Sequence, residues 1–481
     1  MNALSRTLAL SGLFLGCWGA LLGPAGAAEA TQSSSSPDVL VVGGTAAGVA
    51  AAVAAARSGE TVTLVSADGD LGDILSDGMM DQWDLNLAPD GAPLEGGLFT
   101  RMYDRLGEAF SGSSATQTLA ALVASEPRIG VRYDERAVAV TTSGDTEPKR
   151  IQSVVFADDI THARTTIAAP EVIDATDDAD VAALAGARYD LGRQDTGVDE
   201  GMQPVTEMFA LDDVAWNTLE RSYDAARFGP GGATGRSAWG FATLMRGYRP
   251  LDASVAVRDL NFGREADGTV TVNAIDVFGI DGLDPKQIAR ARQSTIAEAP
   301  HLLDFLRTNL PGFERARIVA FAAQVYVRET RHIAGLERLT TADVWLGRIP
   351  PDTIGLASYP IDVHPVTPSD DQPFAPIRHI YGVPFGALIP EGIDNLVLAS
   401  PAISASHLAA GSVRTIPTTI EEGEAAGVAS ALARRDRVDI AQLAVDPTDI
   451  VQLRQALTAD GTILNAPAAA RIIVASARSA A

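Results

Sequence analysis

Two groups of residues in this chain have types and spacings that could do chemistry. The first is the run Gly43-Gly44-Thr45-Ala46-Ala47-Gly48. A sharp turn at Gly43, directly before a helix, aims backbone N–H groups and the positive end of that helix at an anion such as a pyrophosphate. The second lies in the C-terminal half: Arg328-Glu329-Thr330-Arg331-His332, then His364, His379, His407 and Arg414. Histidine exchanges protons near neutral pH, and arginine holds carboxylates or hydroxyls. Each group also has a purely structural reading: a strand–helix turn with no ligand, capping or packing histidines, and a buried ion-pair cluster at a domain seam. His162 and His301 are remote from any motif. The sequence has no metal-ligand spacing, nucleophile elbow or basic stripe.

The elements that must position these residues can be read around them. Asp38–Val42 predicts a strand, Val49 to Arg57 an alanine-rich helix closed by Gly59, and Thr61–Val65 a second strand. Strand, glycine turn, helix and strand in that order form a dinucleotide-binding unit. Thr45 replaces the second glycine of the usual fingerprint, and Ser66 stands where an acidic residue is expected. A ribose contact therefore falls to Ser66 as donor or Asp68 as acceptor. Gly130–Val140 predicts strand-turn-strand, Arg150–Phe156 and Thr165–Ile173 alternate like a β-meander, and the last enters a short helix to Ala185. Thr269–Phe278 predicts strand and Pro285–Thr308 helix. Asn395–Ala399 predicts another strand, and a long helix starts at Pro417, which suits a first turn.

The chain has 481 residues, with 61 acidic and 37 basic side chains, a formal charge of −24. That charge opposes binding to nucleic acid or anionic lipid. The single cysteine, Cys17, excludes an intramolecular disulfide, a thiolate zinc site and an iron–sulfur cluster. It lies in an apolar stretch, Leu8 to Leu22, that follows Arg6 and precedes a small-residue exit. This reads as a signal peptide over residues 1–28 with a flexible linker over 29–37. The mature chain is then thiol-free, secreted or periplasmic, with no stable membrane span once the signal is cleaved.

Four stretches carry a family resemblance: Val39–Gly48, Ile173–Ala185, Arg328–His364 and Tyr381–Ala433. Together and in this order they resemble the bacterial FAD-dependent oxidoreductases of the glutathione-reductase-like FAD-binding fold. The resemblance implies an α/β fold: a Rossmann-like FAD-binding domain (parallel sheet plus β-meander) with an inserted α+β substrate or cap domain. The FAD-binding domain would comprise residues 38–187 and 381–435, the insert 188–380, and a helical tail 436–481. It also implies FAD as cofactor. Gly43, Gly44, Thr45, Ala46, Ala47 and Gly48 would cradle the pyrophosphate. Ser66, Leu71, Gly72, Ala137 or Val138, Ala175, Thr176 and Ser400 would complete the cofactor site, with Gly411, Ser412 and Val413 near the flavin ring. Thr45, Asp73, Asp177 and Ser400 stand where the family has glycine.

The implied activity is hydride transfer between a small organic molecule and flavin N5, with an unidentified electron acceptor. His407, just before the flavin-site helix, is the first candidate proton acceptor and His364 the second. Arg328, Arg331 and Arg414 are candidate substrate-binding cations. Two alternatives use the same scaffold without redox turnover: a nucleotide-fold binding protein, and a carbohydrate-active enzyme.

Overall fold

The computed structural model describes residues 31–32, 36–370 and 374–466. The expected signal peptide with Cys17, most of the linker and the chain from 467 onward lie outside the described residues.

The first strand of the nucleotide unit, β1 (Val39–Val42), is buried at every position. A run of four aliphatic residues suits the middle of a parallel sheet covered on both faces. α1 (Ala46–Arg57) follows, buried except for Arg57, and β2 (Val62–Val65) returns parallel to β1. α2 (Gly97–Leu106) and α3 (Gly112–Ala124) precede β3 (Ile129–Arg132), parallel to β2. The meander is β4 (Glu135–Thr142), β5 (Ile151–Asp158) and β6 (Arg164–Ile167). The stretch read as one strand over Thr165–Ile173 is two. β6 stops at Ile167, and β7 (Glu171–Asp174) starts after Pro170, which cannot donate to a ladder. β7 pairs with β1 in the parallel sheet.

The insert is built on an antiparallel sheet. Its strands are β8 (Phe209–Asp212), β9 (Gly231–Ala233), β10 (Ser237–Gly240), β11 (Leu260–Arg264) and β12 (Val270–Asn273). After α4 (Pro285–Asn309) comes β13 (Arg317–Phe321), and the strand order is β9-β10-β11-β12-β8-β13. Ala238, Leu260, Phe262, Val270 and Val272 turn into a core shared with Leu302 and Leu306 of α4. By the period of two, Trp239, Asn261, Thr271 and Asn273 face the other way. This second core runs from Val205 to Val325, whereas Ile333, Ile354 and Val383 join the first. The packing therefore divides the chain between Val325 and Ile333, not at residue 380. The cause is the Thr353–Ala357 strand, buried throughout and paired with Tyr381–Pro384.

β14 (Leu396–Leu398) completes the all-parallel sheet in the order β14-β7-β1-β2-β3. α5 (His407–Val413) and α6 (Ile416–Asp436) follow. α6 crosses α1 closely because Gly423 and Gly427 lack side chains. A Cβ there would lie 2.1 and 2.3 Å from the carbonyl oxygens of Ala47 and Ala51. Short helices at Ile440–Leu443 and Pro447–Asp460 form the described part of the tail. Among the described residues, no helix is long and apolar enough to cross a membrane.

Candidate active site

The glycine turn builds one side of a cleft. Gly43 has φ +123°, and a Cβ there would strike the Ala175 carbonyl oxygen at 2.2 Å, so this turn needs glycine. Gly44 and Gly48 are equally confined, by the Ser66 hydroxyl at 2.2 Å and the Gly43 oxygen at 2.0 Å. Thr45 caps α1: its hydroxyl accepts from the Gly48 N–H (3.0 Å) and donates to the Ala175 carbonyl (3.2 Å). The first-turn amides of Ala46 and Ala47 meet no acceptor among the described residues. Both residues line the cleft with Gly72, Asp177, Arg414 and Ile416, so the N-termini of α1 and α6 both open on it.

The four departures from glycine divide into two kinds. Thr45 and Ser400 keep their hydroxyls inside the protein; Ser400 Oγ donates to the carbonyls of Thr176 (2.7 Å) and Asp177 (3.1 Å). The other two introduce carboxylates: Asp177 lines the cleft, and Asp73 lies between Gly72 and Ile74, which line it. Asp73 holds φ +50°, the left-handed region that favours the glycine it replaces, and its Oδ1 is buried without a partner. Burial and neighbouring Asp68 push Asp73 up to about 7. Asp177 is raised well above the usual carboxylate range by burial, then by Asp73.

The remaining expected cofactor residues are placed as follows. Leu71 and Ala175 are buried supports. The Ser66 hydroxyl donates to the Asp70 carbonyl and accepts from the Asp68 N–H, so it is already engaged. Thr176 Oγ1 donates to Asp174 and accepts from the Asp180 N–H. Ala137 packs half-buried on the core, and Val138 sits exposed at a β-bulge of β4. Gly411, Ser412 and Val413 do not reach the cleft, contrary to the sequence expectation. They form the end of α5: Gly411 abuts the Val363 side chain and the Asp362 carbonyl, Ser412 Oγ bonds the Tyr359 carbonyl and the Tyr381 hydroxyl, and Val413 is core. Arg414 and Ile416 line the cleft in their place.

The cleft fits a flavin dinucleotide at its pyrophosphate, where free first-turn amides and a helix N-terminus meet a glycine turn. Asp177, which lines the cleft, fits that anion when protonated.

Beside the cleft lies a cavity of about 540 Å³. Tyr326, Arg328 and Arg414 line both spaces. Of the sequence-predicted residues, His364, Arg328 and Arg414 come together here. Arg414 donates to the Tyr326 hydroxyl (2.6 Å) and the Asp362 carbonyl (3.3 Å). Arg328 donates to the Pro204 carbonyl and the Thr206 hydroxyl, both at 2.8 Å, and lies 3.4 Å from Asp276. His364 Nδ1 is 3.1 Å from Asp276 Oδ2. Burial opposes ionisation of Asp276, but His364 and Arg328 outweigh it and hold this carboxyl below its ordinary value. An ionised Asp276 only accepts, so Nδ1 carries the proton and Nε2 of a neutral imidazole is the basic atom.

His407 and Arg331 are elsewhere. His407 Nδ1 bonds Glu329 Oε1 at 2.6 Å, and His332 Nε2 bonds the same oxygen at 2.9 Å, all three residues being buried. Burial raises Glu329, yet these two hydrogen bonds pull it down to about 2. Arg331 ties the Asp178 carbonyl to Asp180 beneath the cleft. Sequence reasoning missed Asp276, Asp84, Tyr359 and Asn261, which all line the cavity. Only the alternation along β11 and β12 hinted at the face that carries some of them.

A family model described as FAD dependent oxidoreductase matches residues 38–457. No curated protein matches the chain. Among solved structures, a geranylgeranyl bacteriochlorophyll reductase-like protein from Thermoplasma acidophilum is 12% identical, with 88% of this chain and 83% of that one covered and a TM-score of 0.44. A flavin-dependent brominase is 9% identical over 89% and 84%, with a TM-score of 0.41. The p-nitrophenol 4-monooxygenase of Pseudomonas putida is 12% identical over 63% and 70%, with a TM-score of 0.36.

Proposed function

Because the chain belongs to the FAD-dependent oxidoreductase family, we propose that it oxidises a small organic molecule held in the cavity, with His364 as proton acceptor. The observation that carries this reading is the His364–Asp276 pair at 3.1 Å on the cavity wall. FAD, when bound, would supply the two-electron acceptor for the hydride that leaves the substrate carbon. His364 Nε2 takes the proton from the adjacent O–H or N–H as the carbon–heteroatom double bond forms. Asp276 fixes the tautomer and stabilises the imidazolium; Arg328 and Thr206 hold Asp276 in place. Arg414, kept charged by Tyr326, Asp362, Tyr359 and Asp84 against the cost of burial, orients substrate at the cofactor end. The N-terminal signal signature supports export of the mature enzyme to a secreted or periplasmic location.

The test is anaerobic mixing with a panel of small alcohols and amines. The flavin absorbance of the wild type should bleach, and in His364→Gln the bleaching should slow by roughly 10²–10⁴-fold with FAD still bound. An unchanged rate in His364→Gln would remove this histidine from the mechanism.

A further inference from the structure

The second face of the inserted sheet is polar, yet it turns toward the cofactor domain and forms the far wall of the cavity. Trp239 on β10 is directly opposite Asn261 on β11, and Asn261 opposite Asn273 on β12. The three make a cross-strand row, and all line the cavity. Asp259, two residues before Asn261, belongs to the same face and also lines it. Asn261 Oδ1 is buried without a hydrogen-bond partner. The Trp239 ring packs against the bare Cα of Gly232, where a Cβ would sit 2.8 Å from the indole, so the ring is fixed flat beside the cavity. Gly232 lies directly opposite it on β9.

These groups select a chemical class. Amide and carboxyl groups on one wall both donate and accept, as vicinal hydroxyls require. An indole face attracts the partially positive C–H groups of a saturated ring. An anionic substrate would meet Asp81, Asp84 and Asp259, which burial raises to about 7, 6 and 6 and which are therefore partly or largely ionised, and acceptors for hydroxyls, near neutral pH. A cationic substrate would meet Arg328 and Arg414 at the end where oxidation occurs.

We propose that the cavity takes a neutral carbohydrate of one or two sugar units, its ring against Trp239 and its hydroxyls on Asp259, Asn261 and Asn273. This rests on the oxidoreductase reading above and names its substrate class: a ring C–H(OH) becomes C=O, the hydride leaving to the flavin and the hydroxyl proton to His364.

Binding and turnover are measured separately. Calorimetric titration of the holoprotein with glucose, galactose, xylose, cellobiose and maltose reads binding, with benzylamine and benzoate as charged comparators. Flavin bleaching under the same compounds reads redox. At least one sugar should bind saturably, and Trp239→Ala and Asn261→Ala should each weaken that binding at least about tenfold, with FAD content and circular dichroism unchanged. Sugar binding without bleaching would uphold the sugar site and overturn the redox reading. Bleaching by benzylamine alone, with no sugar bound, would overturn the sugar site and uphold the redox reading. Absence of sugar binding, or binding indifferent to both substitutions, would overturn the proposal.

Discussion

At the residue scale the chemistry turns on which carboxylate each histidine meets. Asp276 on the cavity wall makes His364 a directed base, whereas Glu329 accepts from both His332 and His407 inside the protein. Replacing Asp276 by asparagine offers His364 a neutral partner that can also donate, so the tautomer that keeps Nε2 basic is no longer enforced. Asp276→Asn should therefore slow flavin reduction by at least about tenfold with FAD binding unaltered, as read by stopped-flow absorbance. The sequence ranks His407 first, because it lies just before the flavin-site helix, and His364 second. Its order could not include ring direction: Ser406 caps α5 and turns His407 toward Glu329, a residue 78 positions away. Asp276 was invisible for the same reason: it opens the short strand Asp276–Val277, and only the fold brings it to His364.

At the element scale, α1 and α6 fix the cofactor cleft. Their small residues were legible, as were β1, the glycine turn and the start of α6. What the sequence could not give was the closeness of the crossing, which depends on Gly423 and Gly427 meeting Ala47 and Ala51. Gly427→Leu should lower stability by about 1–3 kcal/mol or more through overpacking, visible as a lower melting temperature, and should loosen FAD. The first half of α6 carries Glu421, Glu422 and Glu424, which could serve its positive end. Instead Glu421 accepts from the Gly96 N–H and Glu424 from the Leu98 N–H, which ties α6 to the start of α2. Burial holds Glu95 and Glu424 at about 7 and Glu421 and Glu422 well above their ordinary value. The folded protein thus keeps protons that the unfolded chain releases from 4.5 upward. Their stabilising contribution is full below that value and is lost as pH rises through about 7 and beyond. Glu329, lowered to about 2, works oppositely, but its contribution is lost only as pH falls toward 2. Melting temperature should therefore fall between about pH 5 and about pH 8; a rise over that range would contradict the protonated-carboxyl reading of α6.

At the scale of the whole molecule, the net charge of −24 has a local counterpart at the cofactor cleft. Asp73 and Asp177 replace family glycines beside the amides that receive a pyrophosphate, and both hold protons well above the usual range. Asp73 is neutral below about 7 and burial keeps Asp177 protonated well above the usual carboxylate range; as pH rises they become charges near a dianion. FAD should be retained more tightly at about pH 6 than at about pH 9, measured as flavin fluorescence released on dilution, and Asp177→Gly should flatten that dependence. Two cores meeting across one cavity then explain the division of labour. On the proposed reading the parallel sheet and its helices hold the cofactor, and the polar face of the inserted sheet would meet the substrate.

The central claim is that His364, not His407, takes the substrate proton. Single-turnover flavin reduction under anaerobic conditions tests it most directly, run on wild type, His364→Gln and His407→Gln with whichever panel compound bleaches the wild type fastest. The account predicts a rate loss of roughly 10²–10⁴-fold in His364→Gln, with FAD retained, and a clearly smaller loss in His407→Gln. A wild-type rate in His364→Gln, or a loss confined to His407→Gln, would contradict it.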